Sequence, residues 1–382
     1  MSEIFWISLF ALIYIYFGYL KVLELLLQFK RPKSFYVHAI PSEKVTILIT
    51  AYNEETTIVS KINNVLEEDY PSELLEVIVA SDMSTDATDQ LVLNYNDKRV
   101  SLFRPQTSQG KTDTQNQAVS TAQGDIIIYT DAETRFNGSF IRHVTAPFKD
   151  SNVGCVTGKI LFSISENSTI SVNQGRYWRY ETAVRQAESD LGFLATATGA
   201  AMAVRKTLIW PMKAAYGEDC ILPLDVALAG KRVIQSNEAI GYDTQPHDTT
   251  GEFKCRVRMT LRNLQGIFSK KTLLNVFRHP WFSFSLISHK ILRWLSPLFL
   301  IGFILSSLLL ADKSLFYLAA AVGSIILCCA ATIGAYAQYS GKSLPVVQTV
   351  YSFFLANAGF LAALLLLLRN RKITKYGETH AK

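Results

Sequence analysis

Apolar runs of membrane-spanning length at both ends of the chain, with a polar middle between them, constrain its fold more than its length does. Residues 4–20 form a nearly uncharged run, extended past Lys21 by Val22, Leu23 and Leu25 to Leu27, and about 20 apolar residues suffice for a membrane helix. Glu3 precedes the run and Lys30, Arg31 and Lys33 follow it, the reverse of the charge order of a secretory signal. This basic flank predicts an outside N-terminus and a cytosolic domain after the span. Residues 294–311, 315–337 and 346–368 are again of spanning length, separated by turn-like breaks at Asp312-Lys313 and at 340–345. Ahead of them, 277–292 mixes Arg278, His279, His289 and Lys290 with Trp281, Phe282 and Phe284, a composition suited to a helix lying in the membrane interface. The expected organisation is an N-terminal span (1–28), a cytosolic domain (29–271), an interfacial helix region (272–292), three C-terminal spans (293–370) and a polar tail (371–382). The charge rule opposes this count at one point, since four crossings leave Arg369, Arg371 and Lys372 outside.

The formal charge of +6 and the apolar fraction of 49% average over these unlike parts. The basic excess fits anionic lipid or substrate phosphate. Zinc-finger spacing, a recognition-helix pattern and an aromatic RNA-binding signature are all missing from the sequence, which argues against nucleic acid as a partner. The five cysteines (Cys155, Cys220, Cys255, Cys328, Cys329) are odd in number and contain no Cys-x-x-Cys pair, so a reduced, cytosol-facing middle is expected instead of a disulfide framework.

Within the middle, short apolar runs alternate with polar stretches compatible with helix. The runs 45–49, 76–80 and 125–129 are continuously apolar or nearly so, while 54–68 and 86–94 carry apolar residues at three-to-four spacing. That alternation predicts an α/β domain with a parallel, doubly wound sheet covered on both faces, an architecture of the nucleotide-binding type.

The chemistry-bearing residues cluster at the carboxyl ends of the expected strands, where open α/β sheets place their ligands. Thr50-Ala51-Tyr52-Asn53-Glu54 follows the first strand, Ser81-Asp82 the second, and Asp131-Ala132-Glu133 the third. Asp131 and Glu133 are hard oxygen ligands suited to a metal-diphosphate site. Asp82 can accept from a nucleobase and Tyr52 can pack on its ring. Lys111, just before a helix expected from about Thr112, can meet a phosphate or sugar. The pair Glu218-Asp219 opens an apolar helix, whose N-terminus stabilises acids and can carry a general base. Lys254, Arg258 and Arg262 recur every four residues on one helical face, which suits either a lipid-headgroup face or a diphosphate clamp.

Together these motifs, with Gly110-Lys111, Thr198-Gly199-Ala200 and Gly217-Glu218-Asp219, resemble those of glycosyltransferase family 2 over residues 44–262, and more closely its membrane-embedded branch of cellulose, hyaluronan and poly-N-acetylglucosamine synthases. The resemblance implies a GT-A-like domain inserted between transmembrane helices and an inverting sugar transfer from a nucleotide sugar with Mg²⁺ or Mn²⁺. It implies that Thr50, Tyr52, Glu54 and Asp82 hold the donor nucleotide, that Lys111 and Asp131 approach its phosphates, and that Asp131 with Glu133 holds the metal. Asp219 is the implied base. Trp178, Gly199, Ala200, Glu218, Arg258 and Arg262 are expected on the acceptor and diphosphate side, Trp178 as a stacking face for a sugar.

Three departures accompany the resemblance. Glu133 stands where the family usually has Asp, Ser81 where an acid commonly precedes Asp82, and the Gln-x-x-Arg-Trp signature of processive synthases is absent from the sequence. The expected activity is transfer, at the cytosolic face of an inner membrane, from a nucleotide sugar, UDP-linked first, to a growing glycan or lipid-linked acceptor. Membrane lipid is an expected partner, and so few spans would form an export path only with a second copy or an export partner. A non-catalytic nucleotide-sugar-binding subunit of an export complex is the alternative class. The presence of Asp131, Glu133 and Asp219 speaks against it.

Overall fold

A computed structural model of the chain describes residues 1–30, 41–162, 169–243, 249–342 and 344–371. Arg31, Lys33 and the tail from Lys372 lie outside the described residues. Helix α1 (Ser2–Leu27) opens the chain. The middle then runs β1 (Val45–Ala51), α2 (Ile58–Leu66), β2 (Leu75–Ser81), α3 (Thr88–Leu93), β3 (Val100–Phe103), α4 (Lys111–Thr121), β4 (Ile126–Asp131), β5 (Arg135–Phe136), α5 (Phe140–Thr145), β6 (Val153–Phe162), α6 (Thr169–Leu191), β7 (Met202–Arg205), α7 (Glu218–Leu228), β8 (Arg232–Asp243) and α8 (Thr249–Ser269). Helices α9 (Pro280–Leu309), α10 (Leu315–Tyr339) and α11 (Pro345–Leu368) follow.

One sheet in the order β3-β2-β1-β4-β7-β6-β8-β5 organises the middle. Strands β3, β2, β1 and β4 are mutually parallel, and the three strands expected from the apolar runs form its centre. Beyond β4 the sheet is mixed, with β7 antiparallel to both β4 and β6, and β8 parallel to β6. Every residue of β1 is buried, because helices cover both faces. Ile47 and Ile49 point to a core with Ile58, Ile62 and Val65 of α2, whereas Leu48 points to the opposite core with Ala118 and Val119 of α4 and Ile221 and Leu222 of α7. The strand period of two thus distributes one continuous apolar run between two layers.

Helices α1, α9, α10 and α11 are the four among the described residues that are long and apolar enough to cross a membrane. Residues 280–292, expected to lie in the interface, are continuous with the span in α9, through a π-helical turn at Leu286–Ile291. A second π-helical turn, Tyr14–Gly18, interrupts α1, and Tyr14 Oη donates to Ser288 Oγ at 2.8 Å between the two turns. Two apolar clusters seat the middle domain on these helices. In one, Tyr19 and Leu23 of α1 pack on Val184, Ala187 and Leu191 of α6; in the other, Cys220 and Leu224 of α7 meet Leu286 and Trp294 of α9 and Phe360 of α11.

Candidate active site at the strand ends and the α7 N-terminus

The register places Ala51 beside Ser81 and Thr50 beside Asp131, so the three expected strand-end features share one edge of the sheet. Leaving that edge, Asn53 and Met83 both adopt left-handed backbone, with φ of 58° and 61°. Asn tolerates this conformation through local hydrogen bonds, while a methionine there carries strain on the order of 1 kcal/mol or more. The two turns hold each other in place: Asn53 N–H donates to Ser84 Oγ at 3.1 Å and Thr85 N–H to Asn53 Oδ1 at 2.8 Å. Asp86 Oδ2 accepts the Glu55 N–H at 3.1 Å, and Glu54 N–H donates to Thr88 Oγ1 at 2.8 Å. Ser81 is buried and donates to Ser84 Oγ at 2.9 Å, so at this position the chain invests in the turn.

Asp82 accepts from Thr114 Oγ1 at 2.7 Å and from Ser108 Oγ, which fixes its carboxylate against the start of α4. Thr50 Oγ1 accepts from Gln115 Nε2 at 3.1 Å. Tyr52 is exposed at the rim. Gly110 precedes α4 with φ 109° and ψ −180°, a conformation open to glycine alone, and α4 starts at Lys111, one residue earlier than expected.

Lys111 joins the sheet edge to the far side of the crevice. Its Nζ lies 2.7 Å from Asp131 Oδ1 and 2.7 Å from Glu218 Oε1. Burial alone would raise the Glu218 carboxyl, but Lys111 and Arg262 outweigh it and pull the group down to about 2. Its neighbour Asp219 moves the other way: burial and the Glu218 charge raise it, against the pull of Arg262, Arg185 and Lys111. Two adjacent carboxylates in environments that drive their pKa values apart are a recurring catalytic arrangement. Glu133 at the open end of the edge is also raised, by partial desolvation and by the charges of Glu54 and Asp131.

The proline inside α7 shapes the Asp219 neighbourhood. Pro223 has no N–H to offer the carbonyl four residues back, and the Asp219 carbonyl instead accepts the Ala197 N–H at 3.1 Å. The loop carrying Thr198, Gly199 and Ala200 is thereby tied to the acid pair. A Cβ at Gly199 would lie 3.1 Å from Glu218 Oε1, and one at Gly217 would lie 2.4 Å from Asp219 Oδ1, so Gly217 lets the acid pair fold back over the helix start. Arg262 Nη2 donates to Thr112 Oγ1 at 2.7 Å and to the Tyr216 carbonyl, which brings it to the crevice. Arg258, one turn earlier, meets Cys255 Sγ at 3.9 Å. Trp178 on α6 stands 5.9 Å, from its ring centre, beneath the Arg185 guanidinium carbon.

Two groups of residues in this region escaped the sequence reading. Lys61 is fully buried, donates to the Thr134 carbonyl directly behind Glu133, and lies 3.7 Å from the Phe136 ring centre; burial lowers its ammonium to about 7 despite Asp131, Glu68 and Asp243. Its signal was present, because Lys61 falls on the same helical stripe as Ile58, Ile62 and Val65. In the second group, Glu181 and Arg185 pair four residues apart on α6, but the α9 partners of Glu181 and Glu188, namely Arg293 together with His289 and Lys290 from the stretch expected in the interface, lie 100 residues or more away.

Residues 46–211 match the family model described as Glycosyl transferase family 2. Among curated relatives, the probable glycosyltransferase YdaM of Bacillus subtilis (strain 168) is 26% identical over 236 residues, 58% of this chain and 55% of that protein. A beta-monoglucosyldiacylglycerol synthase of Nostoc sp. is 32% identical over 128 residues, 32% of this chain and 27% of that protein. The Escherichia coli UDP-Glc:alpha-D-GlcNAc-diphosphoundecaprenol beta-1,3-glucosyltransferase WfgD is 27% identical over 126 residues, covering 33% and 48%. The matches span about half the length of these relatives or less. Among solved structures, the mannosyltransferase PcManGT from Pyrobaculum calidifontis, in complex with GDP-Man and Mn²⁺, superposes with a TM-score of 0.72 over 97% of this chain and 100% of that one, at 21% identity. At that identity the shared property is the fold, a GT-A-like mixed sheet with its membrane-type helices.

Proposed function

Because the polar middle of this chain is a glycosyl transferase family 2 domain, we propose that the protein is a membrane-bound, inverting glycosyltransferase that moves a sugar from a nucleotide-sugar donor to a lipid-linked or growing glycan acceptor. The observation that carries this is the bridge at Lys111, whose ammonium meets Asp131 of the sheet edge and Glu218 of the acid pair at 2.7 Å each. A donor side and a base side therefore face the same crevice.

On the donor side, Asp82 and Tyr52 would take the base, with Thr50 and Glu54 assigned to the same nucleotide. Lys111 and Arg262 supply positive charge for the diphosphate, and charge neutralised in a water-poor crevice favours departure of that group. Asp131 and Glu54 are close enough for their charges to raise the Glu133 carboxyl, and hard carboxylate oxygens of this kind suit Mg²⁺ or Mn²⁺. Among the described residues no group of three His, Cys, Asp or Glu stands at metal-holding spacing, so substrate phosphates would have to complete the shell. Asp131 and Glu133 would hold the ion, which when bound would neutralise diphosphate charge.

Asp219 takes the proton of the acceptor hydroxyl. The hydroxyl oxygen forms a bond to the anomeric carbon from the face opposite the diphosphate, and the sugar–phosphate bond breaks with its electron pair leaving on the nucleoside diphosphate. The raised Asp219 carboxyl must be deprotonated for this, so transfer falls as pH drops through its pKa. Trp178, Gly199 and Ala200 line the acceptor side with Glu218.

A UDP-sugar is the first donor to test, and two relatives, a beta-monoglucosyldiacylglycerol synthase and a UDP-Glc:alpha-D-GlcNAc-diphosphoundecaprenol glucosyltransferase, favour a lipid-linked acceptor. The basic residues that follow α1 in the sequence support a cytosolic side for the domain, and an inner membrane is the location proposed. Export of a long product through four spans would require a second copy or a partner. The test is transfer by the full chain in detergent from radiolabelled UDP-glucose, UDP-N-acetylglucosamine and GDP-mannose, with Mg²⁺ or Mn²⁺ and a membrane lipid extract, followed by sizing of the product. Labelled lipid or polymer from one donor is expected; release of free sugar alone, or no turnover with any, would sink the proposal.

A further inference from the structure

Arg185 lies in neither the nucleotide side nor the acid pair, yet it is buried and faces three parts of the acceptor side. Its Nη1 donates to Thr198 Oγ1 at 2.5 Å, its Nε to Glu181 Oε1 at 3.1 Å, and its guanidinium stands over Trp178. Glu181, only 2% exposed, also accepts from Lys290 Nζ at 2.8 Å, His289 Nε2 at 3.0 Å and Arg293 Nη1 at 2.7 Å. Those three donors come from α9, and with Arg185 from α6 they match the roughly four lone-pair sites of a carboxylate, so Glu181 is shared between the two helices. What Arg185 adds is a fixed path from the membrane helix to the Thr198 loop.

We infer that Arg185 is a positioning residue for the proposed transfer, fixing the Thr198 loop and the Asp219 carboxylate relative to the membrane helix α9. Two consecutive residues of the loop are held, Ala197 by its N–H on the Asp219 carbonyl and Thr198 by its hydroxyl under Arg185. The groups whose charge bears on Asp219 are Glu218 on its own helix, Lys111 on α4, Arg262 on α8 and Arg185 on α6, with the Cys220 thiol adjacent. Arg185 favours the deprotonated form that the base requires.

The inference rests on the glycosyltransferase proposal, and its test separates the two. The full chain in lipid nanodiscs is assayed with the same three nucleotide sugars, alongside calorimetric binding of UDP and GDP with Mn²⁺. Arg185→Gln is expected to lower kcat/KM for transfer roughly tenfold or more and to move the acid limb of the pH profile upward by about half a unit or more. Nucleotide affinity should stay within about twofold of wild type. Arg185→Lys keeps the charge but cannot serve Glu181 and Thr198 together, so its limb should stay in place while the acceptor KM rises. Should Arg185→Gln fail to fold, Thr198→Val takes its place and is expected to raise the acceptor KM with donor KM unchanged. An unmoved acid limb in Arg185→Gln, or an unchanged acceptor KM in both Arg185→Lys and Thr198→Val, overturns the inference. If Asp219→Asn retains the wild-type rate, the functional proposal itself has failed; if Asp219→Asn is inactive and the Arg185 variants behave as wild type, only the role of Arg185 has.

Discussion

The two sides of the crevice are built differently. The donor side consists of short connections leaving β1, β2 and β4, stitched to one another by hydrogen bonds such as Asn53 to Ser84 and Thr85, and it rests on the sheet. The proposed acceptor side consists of α6, α7 and the segment between them, and it rests on the candidate membrane helices through apolar clusters and the ion network around Glu181 and Glu188. A sheet edge is set within one domain and reads a soluble ligand. Elements seated on α1, α9 and α11 instead take their position from the candidate membrane helices, where the proposed lipid-linked acceptor would arrive. The contrast teaches that one crevice can register two substrates against two different frames, with Lys111 spanning the joint.

The sharpest way to break this contrast is Asp219→Asn. If the sides are separable, transfer falls by about 10³-fold while UDP or GDP binding is kept; parallel loss of both in calorimetry and turnover would show a single undivided site. Next in size is Glu181→Gln, which leaves Arg185, His289, Lys290 and Arg293 around a neutral amide. Breaking a buried ion network in this way costs about 3 kcal/mol or more, so the detergent-solubilised protein should melt at clearly lower temperature, with its nucleotide affinity per folded molecule unchanged. Smallest is Asp131→Ala, expected to weaken Mn²⁺-dependent nucleotide binding by at least the roughly tenfold that loss of an outer-shell partner alone costs a metal site. The thermal transition in the absence of metal should hardly move, and equal binding with and without Mn²⁺ in the wild type would remove the metal from the donor side.

The same division decides how much was legible in the sequence. The donor side was readable because each part is local: an apolar run such as Ile126-Ile127-Ile128 ends in Asp131 within a few residues, and strand ends of a parallel sheet meet at one edge. The mixed half of the sheet was not, since β8 carries Arg232, Gln235, Asn237 and Glu238 in a strand whose partners are set by distant chain. Asp219 could be singled out as an acid at a helix start, but its link to Ala197 depends on Pro223 and on a loop 20 residues away. Glu181 and His289 are separated by 108 residues, and charged residues so placed look like ordinary solvated ones until the fold buries them. Arg258 and Arg262 share a stripe in the sequence, yet Arg262 is the one with a bond to Thr112.

Inside the bilayer region, Tyr16 Oη donates to Ser296 Oγ at 3.0 Å, Ser296 Oγ to Asn357 Oδ1 at 2.6 Å, and Asn357 Nδ2 to Tyr16 Oη at 3.3 Å. This closed ring joins α1 to α9 and α11, which leave the ribosome only after the whole middle domain. About 250 residues separate the end of α1 from the start of α9, and at roughly 5–20 residues per second their synthesis takes on the order of 10–50 s. Throughout that interval Tyr16 is without its final partners, so this ring of hydrogen bonds can close only after α9 and α11 have been made.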